Sequence, residues 1–107
     1  MTDEGVSVQD LQGVAQELQL VRSQLQAISA QVNEISLTIE ALEAQDPSRP
    51  VYRAVGNLLL EVDDREALAN ELGESMSTFD SHAGRLVERE SALVSQYEDM
   101  AKSFESQ

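Results

Sequence analysis

The stretch Val51–Asp64, VYRAVGNLLLEVDD, differs in composition from everything around it. Most of the chain consists of Gln, Glu, Ser, Ala and Leu at helical spacing, whereas this stretch is rich in β-branched and aliphatic residues. Its two apolar runs, residues 51–55 and 58–62, are separated by Gly56 and Asn57. Because Gly supplies a positive φ and Asn tolerates one, the stretch predicts a β-hairpin in which these two residues form the turn.

A two-residue turn fixes which residues of the hairpin face each other. The predicted pairs are Val55/Leu58, Ala54/Leu59, Arg53/Leu60, Tyr52/Glu61 and Val51/Val62. One face carries Val51, Val55, Leu58, Leu60 and Val62, and the other carries Tyr52, Ala54 and Leu59. Both faces are therefore largely apolar.

A hairpin with two apolar faces would be unstable on its own. A lone two-stranded sheet is marginal in water, and unpaired apolar edges favour aggregation. Because the sequence offers no other strands, we expect strands from other subunits to complete the sheet. The predicted subunit-assembly residues are Val51, Tyr52, Val55, Leu58, Leu59, Leu60 and Val62. The alternative is a hairpin folded back on the helices of its own chain.

Before the hairpin, apolar residues recur at steps of three and four without a failure. They are Leu11, Val14, Leu18, Val21, Leu25, Ile28, Val32, Ile35, Ile39 and Leu42. This spacing is typical of the a and d positions of a coiled coil. It predicts a helix over about residues 8–45, ended by Pro47 and Pro50, with Ser7 or Asp10 as its cap.

A second pattern of the same kind predicts a helix over about residues 64–105. Its positions are Leu72, Met76, Phe79, Ala83, Leu86, Leu93, Tyr97, Met100 and Phe104, interrupted by Glu90. Asp63 and Glu66 are spaced like a capping box at its start. Two long helices joined by a short β segment should pack antiparallel. The predicted fold class is mostly α: two antiparallel coiled-coil helices joined by one hairpin, in a single domain of residues 1–107.

The charge and the cysteine count limit the possible partners and location. With 20 acidic and 7 basic residues the net charge is −13, which would repel nucleic acid and anionic membranes. The acidity fits either adaptation to high salt, as in halophiles, or a docking surface for a basic partner. The absence of Cys favours an intracellular setting, and the start MTDEGVSVQD lacks the apolar core of a signal peptide. We therefore expect a cytoplasmic protein.

The sequence offers no constellation for catalysis or metal binding. His82 is the only histidine, and there is no cysteine to join it in a zinc site. A pair of helices provides no pocket in which a catalytic group could be oriented. Gly56 lies in the hairpin rather than at a strand-to-helix phosphate loop. We expect no cofactor, no metal and no enzymatic activity.

The run from Asn33 to Leu72, NEISLTIEALEAQDPSRPVYRAVGNLLLEVDDREALANEL, resembles prefoldin subunits of the β type. These are the archaeal β subunit and the eukaryotic subunit 2 lineage. The hairpin motif VYRAVGNLLLE, residues 51–61, carries the likeness, and its position between two coiled-coil helices is similar to that in the family. A single hairpin is similar to the β type, because α-type subunits carry two.

The resemblance implies an assembly and a function. Prefoldins are hexamers of two α-type and four β-type subunits whose hairpins form β-barrels. Their coiled-coil ends hold non-native polypeptide and pass it to a group II chaperonin without ATP. The corresponding client-contact residues here would be Val6, Val8, Leu11, Tyr97, Met100 and Phe104.

Two alternatives stay open. Leu11 and Met100 could simply close the coiled coil, as a and d residues normally do. The chain as a whole could be a homodimeric coiled-coil scaffold or adaptor that binds one folded partner, although such a protein has no use for an apolar hairpin.

Overall fold

The computed structural model of the chain describes residues 6–106. Helix α1 (Val8–Ala44) is followed by strands β1 (Tyr52–Val55) and β2 (Leu58–Glu61) and by helix α2 (Arg65–Glu105). The predicted fold class, two long helices with one antiparallel hairpin between them, is confirmed. Residues 1–5, part of the segment predicted not to be a signal peptide, lie outside the described residues.

Within the described residues the chain divides into two compact units. Residues 6–28 and 82–106 form one, called here the helix-end unit, and residues 29–81 form the other, called the hairpin unit. The assignment of the chain to a single domain stays a prediction.

Helix α1 begins with a reciprocal cap. The amide of Asp10 donates to Ser7 Oγ at 3.0 Å, and the amide of Ser7 donates to Asp10 Oδ2 at 3.1 Å. Each side chain thus satisfies a backbone N–H that the first turn leaves without a partner. Both residues proposed for the cap take part, with Ser7 directly before the first helical residue.

Helix α2 begins one residue later than its predicted cap requires. The amide of Ala67 donates to Asp64 Oδ1 at 3.0 Å, and the first helical residue is Arg65. The predicted capping box of Asp63 with Glu66 is therefore wrong, because the cap residue is the one directly before the helix. Sequence spacing cannot distinguish two adjacent aspartates, each of which is a good cap.

The helix-end unit has a small apolar core between its two helical segments. Val14, Val21 and Leu93 are buried, and Leu93 is 0% exposed. Half-buried residues pack around them: Leu18, Leu25, Leu86 and Met100. All of these occupy predicted a and d positions, so the periodic pattern identified the packed face of both segments.

Glu90 interrupts the apolar pattern of α2 but has a partner across the unit. Arg22 Nε donates to Glu90 Oε2 at 2.9 Å, with the arginine half exposed. Arg89 pairs in the same way with Glu17. Because the carboxylate of Glu90 reaches an arginine at the edge of the helix pair, its charge is not left unpaired among apolar side chains.

The hairpin unit contains the predicted strand register. The pairs Tyr52/Glu61, Arg53/Leu60, Ala54/Leu59 and Val55/Leu58 are observed, and the amide of Val62 donates to the Val51 carbonyl oxygen at 2.7 Å. The strands are one residue shorter at their open ends than the apolar runs.

Gly56 and Asn57 form the turn, as expected, but only Gly56 needs its special backbone conformation. Gly56 has a φ of 60°, and no residue other than glycine has a positive φ in the part of the chain that the structure describes. A positive φ at the first central residue alone is the pattern of a type II′ turn rather than type I′. A side chain at position 56 would therefore strain the turn, whereas Asn57 is replaceable.

Candidate functional site

The predicted assembly residues form an exposed apolar surface on the hairpin. Tyr52, Val55, Leu58, Leu59 and Leu60 are all exposed, whereas Val51 and Val62 at the open end are half-buried. Leu59, at 72%, is the most exposed of them. Every residue of both strands is exposed, so among the described residues the helices of the chain leave the hairpin uncovered.

Two arginines tie the hairpin and the preceding linker to the start of α2. Arg53 Nη1 on β1 donates to Glu71 Oε2 at 3.3 Å. Arg65 Nη2 donates to the carbonyl oxygen of Asp46 at 3.2 Å and to that of Arg49. Arg65 thus supplies donors to linker carbonyls just beyond the end of α1, where the backbone has no helical partners. The base of the hairpin is fixed while its apolar residues stay uncovered.

The linker itself contains a polar turn around Asp46. The amide and the hydroxyl of Ser48 donate to Asp46 Oδ1 at 2.9 and 2.8 Å. These two hydrogen bonds, and to a smaller extent the charge of Arg65, hold the pKa of Asp46 below its ordinary value. Asp46 therefore remains a hydrogen-bond acceptor at pH values where an ordinary aspartate begins to protonate.

The predicted client-contact residues all lie in the helix-end unit, but they differ in exposure. Val8 is exposed, as are Tyr97 at 39% and Phe104 at 40%. Leu11 and Val6 are half-buried, and Met100 packs against the buried cluster that includes Leu93. Packing thus accounts for Met100, while the exposed three present apolar surface that the core of the unit does not use.

Three exposed apolar residues were not among the predicted sites. Leu20 and Val87 lie in the helix-end unit and Leu37 lies in the hairpin unit, each more than half exposed. All three fall outside the a and d positions, so the heptad assignment could have predicted that the packed faces of the helices leave them exposed. Single exposed apolar residues are common on protein surfaces, and these serve below as matched controls.

Neither a metal cluster nor a membrane-spanning helix occurs within residues 6–106. No group of three or more histidine and acidic side chains there is arranged to hold a metal ion. Both helices of this range carry too many polar and charged residues to cross a bilayer.

The hairpin between two long helices and its uncovered apolar strands define the class of this protein. The sequence profile described as "Prefoldin subunit" matches residues 7–107. The chain belongs to the prefoldin subunit family, and the resemblance found in the hairpin motif is confirmed.

Two curated relatives of this chain are named as β subunits. The chain is 30% identical over 63 residues to prefoldin subunit beta of Thermoplasma volcanium, a match covering 59% of this chain and 51% of that protein. It is 27% identical over 67 residues to prefoldin subunit beta of Thermoplasma acidophilum, covering 63% and 54%. The chain thus spans about half the length of the curated relatives it matches.

The fold has a close counterpart among solved structures. The crystal structure of the prefoldin beta subunit from Thermococcus strain KS-1 superposes with a TM-score of 0.81. The match covers 97% of this chain and 96% of that one at 22% identity. At this identity the likeness shows the fold, and what the surfaces bind has to be argued from their residues.

Proposed function

We propose that this chain is a β-type subunit of a cytoplasmic holdase chaperone. In this proposal it captures non-native polypeptide without ATP and delivers it to a group II chaperonin. The observation that carries the proposal is the hairpin, whose strands are exposed along their whole length in a chain of the prefoldin family. In a chain that functioned alone, the uncovered side chains of Leu58, Leu59 and Leu60 would favour aggregation.

The hairpin is the proposed assembly element. Each strand has four residues, and both hairpin edges lack further strands in the described chain. Closing several hairpins into a barrel would pair these edges and bury the apolar side chains. The partners in this proposal are α-type subunits and further copies of this chain, in a hexamer of two α-type and four β-type subunits.

The helix-end unit is the proposed client-binding part. Holding an unfolded chain requires apolar surface that the fold does not itself bury, and no chemical step. Val8, Tyr97 and Phe104 supply such a surface beside the packed core of the unit. Binding of this kind needs neither a cofactor nor a catalytic residue, so we propose a binding protein rather than an enzyme.

The native mass of the complex purified from the protein's own cells tests the proposal. We expect a complex of roughly six chains in which a longer, two-hairpin partner has half the abundance of this chain. Barrel closure needs strands beyond the two present here, and the resemblance to the family supplies the proposed composition. Purification at the salt concentration of the cells preserves contacts between charged surfaces. A stable homodimer with no second subunit would contradict the proposal and favour the coiled-coil scaffold.

Replacing the exposed helix-end residues should weaken client binding and spare assembly. The triple variant Val8→Ser, Tyr97→Ser, Phe104→Ser removes apolar surface without touching the buried cluster. We expect the assembled variant to need several-fold more protein, on the order of threefold to tenfold, to suppress aggregation of a denatured client. Light scattering measures the suppression and native mass spectrometry measures the assembly.

The control for this variant is the pair Leu20→Ser and Val87→Ser, which removes two apolar residues of the same unit that are each more than half exposed. We expect this pair to suppress aggregation as well as the unmodified protein does. Equal loss in both variants would mean that exposed apolar area in general holds clients. No loss in the triple variant would place the client site elsewhere.

A further inference from the structure

Arg65 is a basic residue at a position where local helix rules favour an acid. It is the first residue of α2, and the amino-terminal end of a helix carries a partial positive charge that repels a guanidinium. Its two neighbours follow the rule, since Asp64 caps the helix and Glu66 lies in the first turn. Arg65 is also half-buried rather than exposed to solvent. A charge placed against the local rule is explained if its side chain acts on another segment of the unit.

The guanidinium of Arg65 binds the backbone of the linker before the hairpin. Its Nη2 donates to the carbonyl oxygen of Asp46 at 3.2 Å and to that of Arg49. Both carbonyls lie just beyond the end of α1 at Ala44, where the helix end carries a partial negative charge. The last turn of α1 contains no basic residue. Arg65 therefore supplies, from the start of α2, the cation that the end of α1 lacks.

The linker is a restrained turn, so a bond to it also restrains the hairpin. The carbonyl oxygen of Asp46 accepts a second bond from the amide of Arg49 at 2.9 Å. The Asp46 carboxylate accepts two further bonds from Ser48. Two prolines in this linker lock φ, and the second, Pro50, directly precedes Val51 at the open end of the hairpin. The position of Arg65 is thus transmitted through few free dihedral angles to the first residue of the hairpin arm.

The other link between the hairpin and α2 is weaker. Arg53 Nη1 and Glu71 Oε2 are 3.3 Å apart, and the two side chains are 50% and 59% exposed. An ion pair of this exposure contributes little, and salt screens it. The hydrogen bonds of Arg65 come from a half-buried residue and go to neutral carbonyl oxygens, so salt weakens them less.

We propose that Arg65 is a positioning residue that holds the hairpin at one angle to α2 before any partner binds. This inference rests on the proposed role of the hairpin in assembly and adds the residue that prepares it. Hairpins from several chains can close into one sheet only when each leaves its helices in a suitable direction. An arm that is already held in that direction loses less conformational entropy on association. Without Arg65 the same apolar strands are present but assemble only at higher protein concentration.

The variant Arg65→Met tests the proposal, because it removes the guanidinium and keeps an apolar stem. The matched control is Arg49→Met, which makes the same change within the linker. The side chain of Arg49 is exposed and holds no hydrogen bond or ion pair within residues 6–106, and the carbonyl that Arg65 binds stays in place. Far-UV circular dichroism confirms that both variants keep their helices.

The angle of the hairpin is measured by pulsed electron paramagnetic resonance between two spin labels. The changes Asn57→Cys and Ser75→Cys place labels at the exposed turn and on α2, both in the hairpin unit, in a chain that has no cysteine of its own. We expect one narrow distance distribution for the otherwise unmodified chain and for Arg49→Met, and a broad one for Arg65→Met. Arg65→Lys should lie between them, because an ammonium lacks the planar fork of donors.

The consequence for assembly is measured by diluting the complex purified from the protein's own cells and following its dissociation by native mass spectrometry. We expect the complex with Arg65→Met to dissociate at a concentration about tenfold higher than the unmodified complex, because the free arm has to be ordered on association. The complex with Arg49→Met should dissociate at the same concentration as the unmodified one.

Four results would overturn the proposal. One is a narrow distribution for Arg65→Met, and another is equal broadening in Arg49→Met. A third is a broad distribution in Arg65→Met without any change in dissociation. The fourth is broadening of the unmodified distribution at about 1 M KCl to the width of Arg65→Met, which would assign the angle to the screened pair of Arg53 and Glu71.

The experiment also covers a variant that does not fold and a hairpin that is not the interface. If Arg65→Met loses its helices, Arg65→Lys takes its place, and a distribution as narrow as that of the unmodified chain then overturns the proposal. The distance measurement involves no partner, so it tests Arg65 separately from the assembly role of the hairpin. That role is tested by replacing Leu59 and Leu60, which leaves Arg65 and the linker intact.

Discussion

The double variant Leu59→Asp, Leu60→Asp should lose higher assembly completely while both helices still form. The two leucines lie on opposite faces of the hairpin and are 72% and 46% exposed, so the isolated chain tolerates polar groups there. In a completed sheet the same positions become buried, and an unpaired buried carboxylate costs several kcal/mol. Since each 1.4 kcal/mol is a factor of ten in affinity, we expect assembly to weaken by at least about a thousandfold.

Light scattering coupled to size-exclusion chromatography measures the mass of this variant, and far-UV circular dichroism measures its helix content. The variant Leu59→Asn, Leu60→Asn adds no charge and should also lose assembly, which separates burial of polar groups from repulsion between charges. The matched control is Leu20→Asp with Leu37→Asp, two leucines on α1 of similar exposure. If the hairpin variants keep the original mass, the hairpin is not the interface.

The second large effect is expected at the centre of the helix-end unit. Leu93 is 0% exposed and is the one fully buried large side chain among the described residues. Leu93→Ala removes its contacts with the cluster that includes Val14 and Val21. We expect this change to lower the free energy of unfolding by about 2–5 kcal/mol, the range for a buried leucine truncated to alanine. Such a loss is a large part of the stability of a small protein.

Urea denaturation followed by circular dichroism measures this loss. Leu20→Ala makes the same chemical change at a residue of the same unit that is 59% exposed, and it should alter the free energy of unfolding by no more than about 0.5 kcal/mol. Similar losses in the two variants would mean that the packed face of α2 has been misassigned. A Leu93→Ala protein that keeps its stability would mean that the neighbouring side chains refill the space.

Together the two variants separate subunit assembly from the stability of the helix-end unit. The hairpin variants change a surface that the chain leaves exposed, so their effect should appear only when chains meet. The Leu93 variant changes the support on which Met100 packs, so its effect should appear in the isolated chain. Because the hairpin and the Leu93 cluster lie in different units, the two effects should be independent of each other.

Features determined by short-range rules were predictable from the sequence. The steps of three and four identified the packed face of α1, where Leu11, Val14 and the other predicted positions are all buried or half-buried. The register of the hairpin followed from the two residues between its apolar runs, because a turn of given length permits few pairings. The family resemblance also rested on this local motif.

The features that only the tertiary structure revealed depend on contacts between residues far apart in the chain. Arg22 and Glu90 are separated by 68 positions, and no local pattern shows that the charge interrupting the apolar series of α2 meets an arginine of α1. The heptad pattern gives Met100 and Phe104 the same kind of position, yet Met100 packs on the cluster around Leu93 and Phe104 stays exposed. Periodicity states which side of a helix is apolar, whereas burial depends on how far the opposite segment extends along it. The sequence by itself therefore determined the elements and their faces, and the tertiary structure decided which apolar residues the chain covers and which it leaves for partners.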